Sequence, residues 1–118
     1  MVEKKRLERL GQQLMTELGP LIESEIDDPR VDMVQVTHVR VSNDMRYARV
    51  YVSTLGSDGE RKTALEGLDS AKRFLRKQLS QRLGHLKRTP ELTFDYDESA
   101  EKEMRIEKLL AQIDSEER

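Results

Sequence analysis

An α+β domain is predicted by three features of the chain. Leucines recur at helical intervals near its start, valines alternate with polar residues through its middle, and a second helical leucine stripe follows them. Leu7, Leu10, Leu14, Leu18 and Leu21 are spaced by three or four, with Met15, Ile22 and Ile26 widening one apolar helix face. Gly19-Pro20 is expected to kink or restart this helix, because proline lacks an N–H and clashes with the preceding turn. Asp27-Asp28-Pro29 is expected to end it, since the residue before proline avoids the α region. Val34 and Val36, then Val39 and Val41, alternate with a change of parity that a bulge near Thr37-His38 would absorb. Ser42-Asn43-Asp44 supplies a turn, after which Ala48, Val50 and Val52 oppose Tyr47, Arg49 and Tyr51, completing a hairpin. Leu55 to Glu60 reads as a surface loop.

From Glu60 to Leu83 the helical period returns through Leu65, Leu68, Ala71, Leu75, Leu79 and Leu83. Gly67 leaves open one rod or two helices meeting at a kink, and Gly84 is a natural stop. Pro90 precedes a short strand with Leu92, Phe94 and Tyr96 on one face. Met104, Ile106, Leu109, Leu110 and Ile113 then form a short amphipathic helix before a frayed end. A three-stranded sheet with helices on one face buries these stripes economically, with 1–97 as the domain and 98–118 as an acidic helix and tail.

Cysteine is absent, which excludes disulfides, thiolate nucleophiles and Cys-type zinc sites. No apolar run approaches the roughly 20 residues that span a bilayer, and the charged residues 1–9 carry no secretory segment, so a cytoplasmic, non-membrane protein is expected. The net charge of −2 conceals segregation. Residues 61–88 hold nine Lys or Arg against two acids, and residues 95–118 hold nine acids against four bases. Local charge, not the sum, governs attraction to a polyanion.

Lys72, Arg73, Arg76 and Lys77 fall on an arc of roughly 140° of an ideal helix, and Lys87 and Arg88 continue the charge beyond Gly84. Such a face suits a phosphate backbone, although charge on an exposed helix face also serves plain solvation. Arg82 projects toward the apolar side of a continuous helix, so the helix is expected to bend or end before it. His38 and His85 lack flanking ligands, Asp27-Asp28 lacks the further oxygens of a calcium loop, and Asp95, Asp97 and Glu98 read as solvent-exposed. No Ser or Thr has a partnered base and no phosphate loop is present, so an enzyme is not expected. Tyr47 and Tyr51 share a strand face on which they either stack on bases or cap the core.

Residues 69–79 (DSAKRFLRKQL) and 88–99 (RTPELTFDYDES) resemble the ribosome-binding factor A family. Residues 25–30 (EIDDPR), 39–53 (VRVSNDMRYARVYVS) and 104–110 (MRIEKLL) resemble it too, so the similarity runs from about residue 3 to 113. The resemblance implies a type II KH fold, α-β-β-α-α-β, with the third strand parallel beside the first. It implies a non-catalytic, cofactor-free factor that binds the immature 30S subunit and assists maturation of 16S rRNA near its 5′ end, and that is associated with growth in the cold. Ordinary KH domains clamp RNA with a Gly-x-x-Gly loop, which has no counterpart within the helical stretch 60–83 of this sequence. The family's Ala-x-Gly kink matches Ala71-Lys72-Arg73, with Arg73 in place of glycine, so a shallower kink or a continuous helix is expected. The RNA contacts implied are Ala71, Lys72, Arg73, Arg76, Lys77, Lys87 and Arg88, with Arg82, Arg30 and Arg46 as outlying members. For the tail helix, packing on its own domain is expected, the alternative being docking to a ribosomal protein or assembly GTPase. A protein-interaction module using the sheet or that helix is the competing function. A monomer is expected.

Overall fold

The structure is a computed structural model that describes residues 4–54, 58–99 and 109–113. Helix α1 (Lys4–Ser24) is followed by a 3-10 turn (Pro29–Val31), the hairpin β1 (Gln35–Val41) and β2 (Tyr47–Ser53), helices α2 (Asp58–Ser70) and α3 (Lys72–Arg82), and β3 (Glu91–Tyr96). This is the α+β, type II KH-like arrangement, with the three strands in the order β1-β2-β3. β1 and β2 are antiparallel, and the register shifts between Val36 and His38, where the parity change of the valines demands a bulge.

β3 runs parallel to β2, pairing Tyr47 with Glu91 and Val50 with Phe94. It therefore lies beside the second strand, not beside the first as the resemblance implied. A parallel neighbour needs a crossover of a dozen or more residues. α2 and α3 supply one leading from β2 to the strand's free edge, without passing over β1.

α1 is uninterrupted through Pro20, so the helix does not restart there. An interior proline costs about 3 kcal/mol. Leu14, Leu18, Leu21 and Ile22 are all buried, and each is worth about 1.5–3 kcal/mol, so the apolar stripe outweighs the lost hydrogen bond. Pro20 itself is exposed. Gly11 is buried where α1 crosses β1, and a Cβ there would stand 2.7 Å from the Val39 carbonyl oxygen.

α2 begins at Asp58, so the loop expected through Glu60 ends earlier, and residues 55–57 lie outside those described. The two middle helices are separate, and the break is at Ala71, not Gly67. Gly67 is a packing residue: its missing Cβ would meet the Arg30 Cβ and the Val31 Cγ1 at 3.0 Å. The helical stretch thus does break before Arg82, at Ala71, and α3 then extends through Arg82. Leu83 closes it with its N–H on the Leu79 carbonyl. Gly84 does follow the helix, but with no left-handed backbone. The left-handed positions are Met33 and Met45, at φ of 67° and 62°.

At the other end of the sheet, Asp97 is a structural residue rather than a solvated one. Its N–H donates to the Val52 carbonyl at 2.8 Å, and its carboxylate accepts the Thr37 hydroxyl at 2.5 Å and both the N–H and hydroxyl of Ser99. The β1 bulge, β2 and the exit from β3 are thereby joined. The Ser99 hydroxyl, then Thr37, hold the Asp97 carboxyl below its ordinary value, and the charge of His38 adds less.

The expected C-terminal helix lies largely outside the described residues. Within 109–113 the chain is helical, and Leu109, Leu110 and Ile113 are 58%, 60% and 52% exposed. They do not pack on the domain as expected. Three of the apolar positions that would define a buried stripe face solvent, so nothing in the core required them.

Two outcomes test this packing. Gly11→Ala forces α1 away from a backbone atom that cannot swing aside, and should cost about 1–3 kcal/mol despite alanine's better helix propensity, read by thermal or urea unfolding. Asp97→Asn should destabilise the domain at neutral pH. Because the folded carboxyl titrates low, its contribution is present above the unfolded-state pKa and is lost as pH falls through the lower folded value. The gap between wild type and variant should therefore shrink in urea titrations taken progressively below 3.8.

Candidate nucleic-acid interface

α3 is anchored in the core by Leu75 and Leu79, both fully buried. At 3.6 residues per turn this anchor turns positions 73, 76, 77 and 80 away from the core. There, Arg73, Arg76, Lys77 and Ser80 line an open groove of about 350 Å3, with Thr89 from the loop before β3 as its far wall. The floor is tied across: Arg76 Nη2 donates to the Thr89 carbonyl at 2.9 Å. The Arg76 Nε is buried and has no hydrogen-bond partner among the described residues. Arg76 is thus half-buried and serves partly as a strut joining α3 to the β3 approach.

Ala71 sits at the junction with φ −87° and ψ −1°. Its N–H points at both the Gly67 and Leu68 carbonyls at 3.1 Å, while its own carbonyl accepts from Leu75 N at 3.0 Å. It closes one helix and opens the next at a negative φ, in the region where the third residue of a type I turn sits and glycine is not needed. The junction does not require glycine at position 73. Arg73 has an ordinary negative φ, lies in the first turn of α3 and is exposed.

The remaining cations divide into two groups. Lys72 pairs with Asp69 at 2.9 Å, an i,i+3 surface contact worth at most about 1 kcal/mol. Arg82 reaches across to Glu17 of α1 at 3.3 Å. Arg30 pairs with Asp28 at 2.7 Å and lies against Gly67 of α2, so it is a packing residue away from the groove. Its hydrogen bond holds the Asp28 carboxyl below its usual range. Lys77, Lys87, Arg88 and Arg46, by contrast, are exposed and, like Arg73, make no ion pair among the described residues. Lys87 and Arg88 immediately precede the groove wall at Thr89. Arg46 joins them because its carbonyl accepts the Glu91 N–H at 2.8 Å, bringing the hairpin turn against the start of β3.

The helical arc read from the sequence thus comes together as a groove at Arg73, Arg76 and Lys77. Lys72 is turned to its acidic neighbour, and Arg30 and Arg82 are held elsewhere. Ser80 and Thr89 were not singled out by sequence. Ser80 falls on the right helical face, whereas Thr89 enters only because the chain folds back. The opposite sheet face carries Arg49, paired with Asp95 at 3.2 Å, and His38, whose ring stacks on Tyr51 at 6.1 Å.

Comparison with known proteins agrees with this geometry. Residues 6–110 match the family model described as ribosome-binding factor A. The crystal structure of ribosome-binding factor A from Thermus thermophilus is 31% identical, with a TM-score of 0.68 over 76% of this chain and 94% of that one. A Thermotoga maritima protein, provisionally assigned as a ribosome binding factor A and solved by NMR, is 36% identical with a TM-score of 0.71, over 84% of this chain and 93% of its own. A homology model of the Thermus thermophilus factor, fitted into a cryo-electron-microscopy map of a 30S complex, is 31% identical with a TM-score of 0.63, covering 78% of this chain and 96% of that one. With a family match spanning nearly the whole chain and relatives above 30% identity over their full folds, this chain belongs to the ribosome-binding factor A family.

Proposed function

We propose that this chain binds the free, immature 30S subunit in the cytoplasm and assists late maturation of 16S rRNA near its 5′ end, including during growth in the cold. It does so by binding alone, holding unfinished rRNA against the groove of α3. The observation that carries this reading is the convergence of Arg73, Arg76 and Lys77 on one open groove, with Arg73 and Lys77 unpaired among the described residues. Lys87, Arg88 and Arg46 extend the cationic surface around the β3 corner. The likeness to a factor fitted into a 30S complex supports the choice of partner.

Each phosphate neutralised by this surface releases condensed counterion, which supplies sequence-independent affinity. Arginine adds a planar fork that grips phosphate oxygens through two bonds, and Arg73 is free to use it. Arg76 keeps one bond on Thr89 and so sets the width of the groove. Binding alone is the mechanism this reading needs, with no step of bond chemistry. The mechanism is occupancy: the protein favours the RNA conformation it binds, and leaves when the matured RNA no longer presents that conformation.

A second reading rests on one observation, the exposure of Leu109, Leu110 and Ile113. These would give a partner protein an apolar contact that survives high salt.

Reversing two charges, Arg73→Glu with Lys77→Glu, should abolish co-sedimentation with small subunits while leaving the circular dichroism spectrum unchanged. Retained co-sedimentation would sink the groove as the binding surface. Removing single cations should lower the slope of log affinity against log salt by about one for each phosphate no longer neutralised. That reduction is expected for Arg73 and Lys77, and not for Arg30. A binding constant that ignores salt but collapses in Leu110→Asp would favour the apolar tail instead.

A further inference from the structure

The three helices cover one face of the sheet and leave the other open. Ala48, Val50, Val52 and Leu92 point to the core, so by alternation Tyr47, Arg49 and Tyr51, with His38 and Arg40 across the strand, point away from it. The register makes a small grid. Arg40 lies opposite Arg49, His38 opposite Tyr51, and Tyr47 opposite Glu91. Tyr47 is 51% exposed and lies on the face away from the core, so its ring does not cap the core. It makes no side-chain hydrogen bond among the described residues. Tyr51 is half-buried and stacked with His38 at an interplanar angle of 29°. Arg49 is held by Asp95 and Tyr51, while Arg40 is exposed with no ion pair among the described residues.

Resting on the reading above, we propose that this open sheet face is a second RNA-contacting surface, a stacking platform for unpaired bases, with Tyr47 as its principal ring and Arg40 and Arg49 beside it. Three lines of reasoning favour a nucleic acid strand as the occupant. An exposed aromatic ring offers a π face to every base, and such stacking tolerates any sequence. No aliphatic side chain projects from the strands on this side, so a protein helix laid here would bury little greasy surface. The platform also joins the α3 groove, because Arg46 precedes Tyr47 and its carbonyl is bonded to Glu91, just beyond Arg88 and Thr89. A strand whose phosphates follow the groove can turn this corner and lay its bases on the sheet. Glu91 is the acid at that corner without an ion pair among the described residues, and it favours bases over phosphates at the Tyr47 end. Tyr47 and Tyr51 are four residues apart along one strand, about 13 Å, which leaves room for Arg49 between two stacked bases.

The test compares wild type, Tyr47→Ala, Tyr47→Phe and Arg40→Ala for binding to a short oligouridylate and to a fully paired RNA hairpin, with tyrosine fluorescence and anisotropy as readouts. The expected result is an affinity of Tyr47→Ala for the oligouridylate that is lower by about tenfold or more, with Tyr47→Phe close to wild type and hairpin binding unchanged in both. Arg40→Ala should weaken the oligouridylate less and flatten its salt dependence. Wild-type affinity of Tyr47→Ala for the single strand would overturn the proposal. So would loss of small-subunit co-sedimentation in Tyr47→Ala with oligouridylate binding intact, which would make the face a protein contact. The Arg73→Glu, Lys77→Glu variant run alongside separates the two ideas. If it binds the hairpin normally, the groove reading fails. If it loses hairpin binding while Tyr47→Ala matches wild type on both RNAs, only the platform fails.

Discussion

The burial of Leu75 and Leu79 in the core shared by the helices and the sheet is the constraint on which the rest of the molecule depends. Those two side chains fix the rotation of α3 about its own axis, and with it the direction of every cation the helix carries. A rotation of one residue, about 100°, would carry Arg73 and Lys77 out of register with Thr89 and close the groove. The same anchoring places Arg76 within reach of the Thr89 carbonyl, so the wall of the groove is set by the core beneath it. Hydrophobic burial here decides electrostatics, because it selects which charges meet solvent and which meet one another.

The cations fall into a structural set and an available set, and the difference is one of neighbours rather than residue type. Arg30 is tied to Asp28 and pressed against Gly67, Arg82 bridges to Glu17, and Arg49 is held by Asp95. Each joins two parts of the fold or stiffens one. Arg73, Lys77, Lys87, Arg88 and Arg46 carry their charge into water without an acidic partner among the described residues. An unpaired surface cation adds little to folding but much to attraction for a polyanion, whose condensed counterions it replaces. A chain of net charge −2 can therefore hold a strongly cationic corner. Membership in the ribosome-binding factor A family is in keeping with the proposal that this corner meets a ribosomal polyanion.

Local competition explains where reading by pattern succeeded. The hairpin, its bulge between Val36 and His38 and the alternation through Val52 are settled by neighbours within a few residues, whereas α1 ends at Ser24, ahead of the expected stop at Asp27-Asp28-Pro29, and Asp28 caps the 3-10 turn instead. The two-helix alternative for the middle segment was also open to sequence, and the break is set by Ala71. Where distant contacts outweigh local preference, the pattern misled. Pro20 is a strong local signal, yet Leu18, Leu21 and Ile22 on either side of it are buried deeply enough to keep α1 whole. Gly67 looked like a flexible point and is instead the place where α2 meets Arg30 and Val31. Asp97 looked solvated because its partners, Thr37 and Val52, are far away in sequence.

The amino-acid order alone determined the class of fold, the element sequence, the absence of thiol chemistry and the clustering of positive charge on the third helix, since each depends on residue type and short-range spacing. Only the tertiary structure decided that the last strand lies beside the second, that Thr89 completes a groove with Arg73 and Lys77, that Arg30 and Arg82 are engaged elsewhere, and that the three described helices leave the tyrosine face uncovered. Those outcomes turn on which surfaces meet after the chain folds back. That is a matter of competing burial between segments tens of residues apart, and no local pattern encodes it.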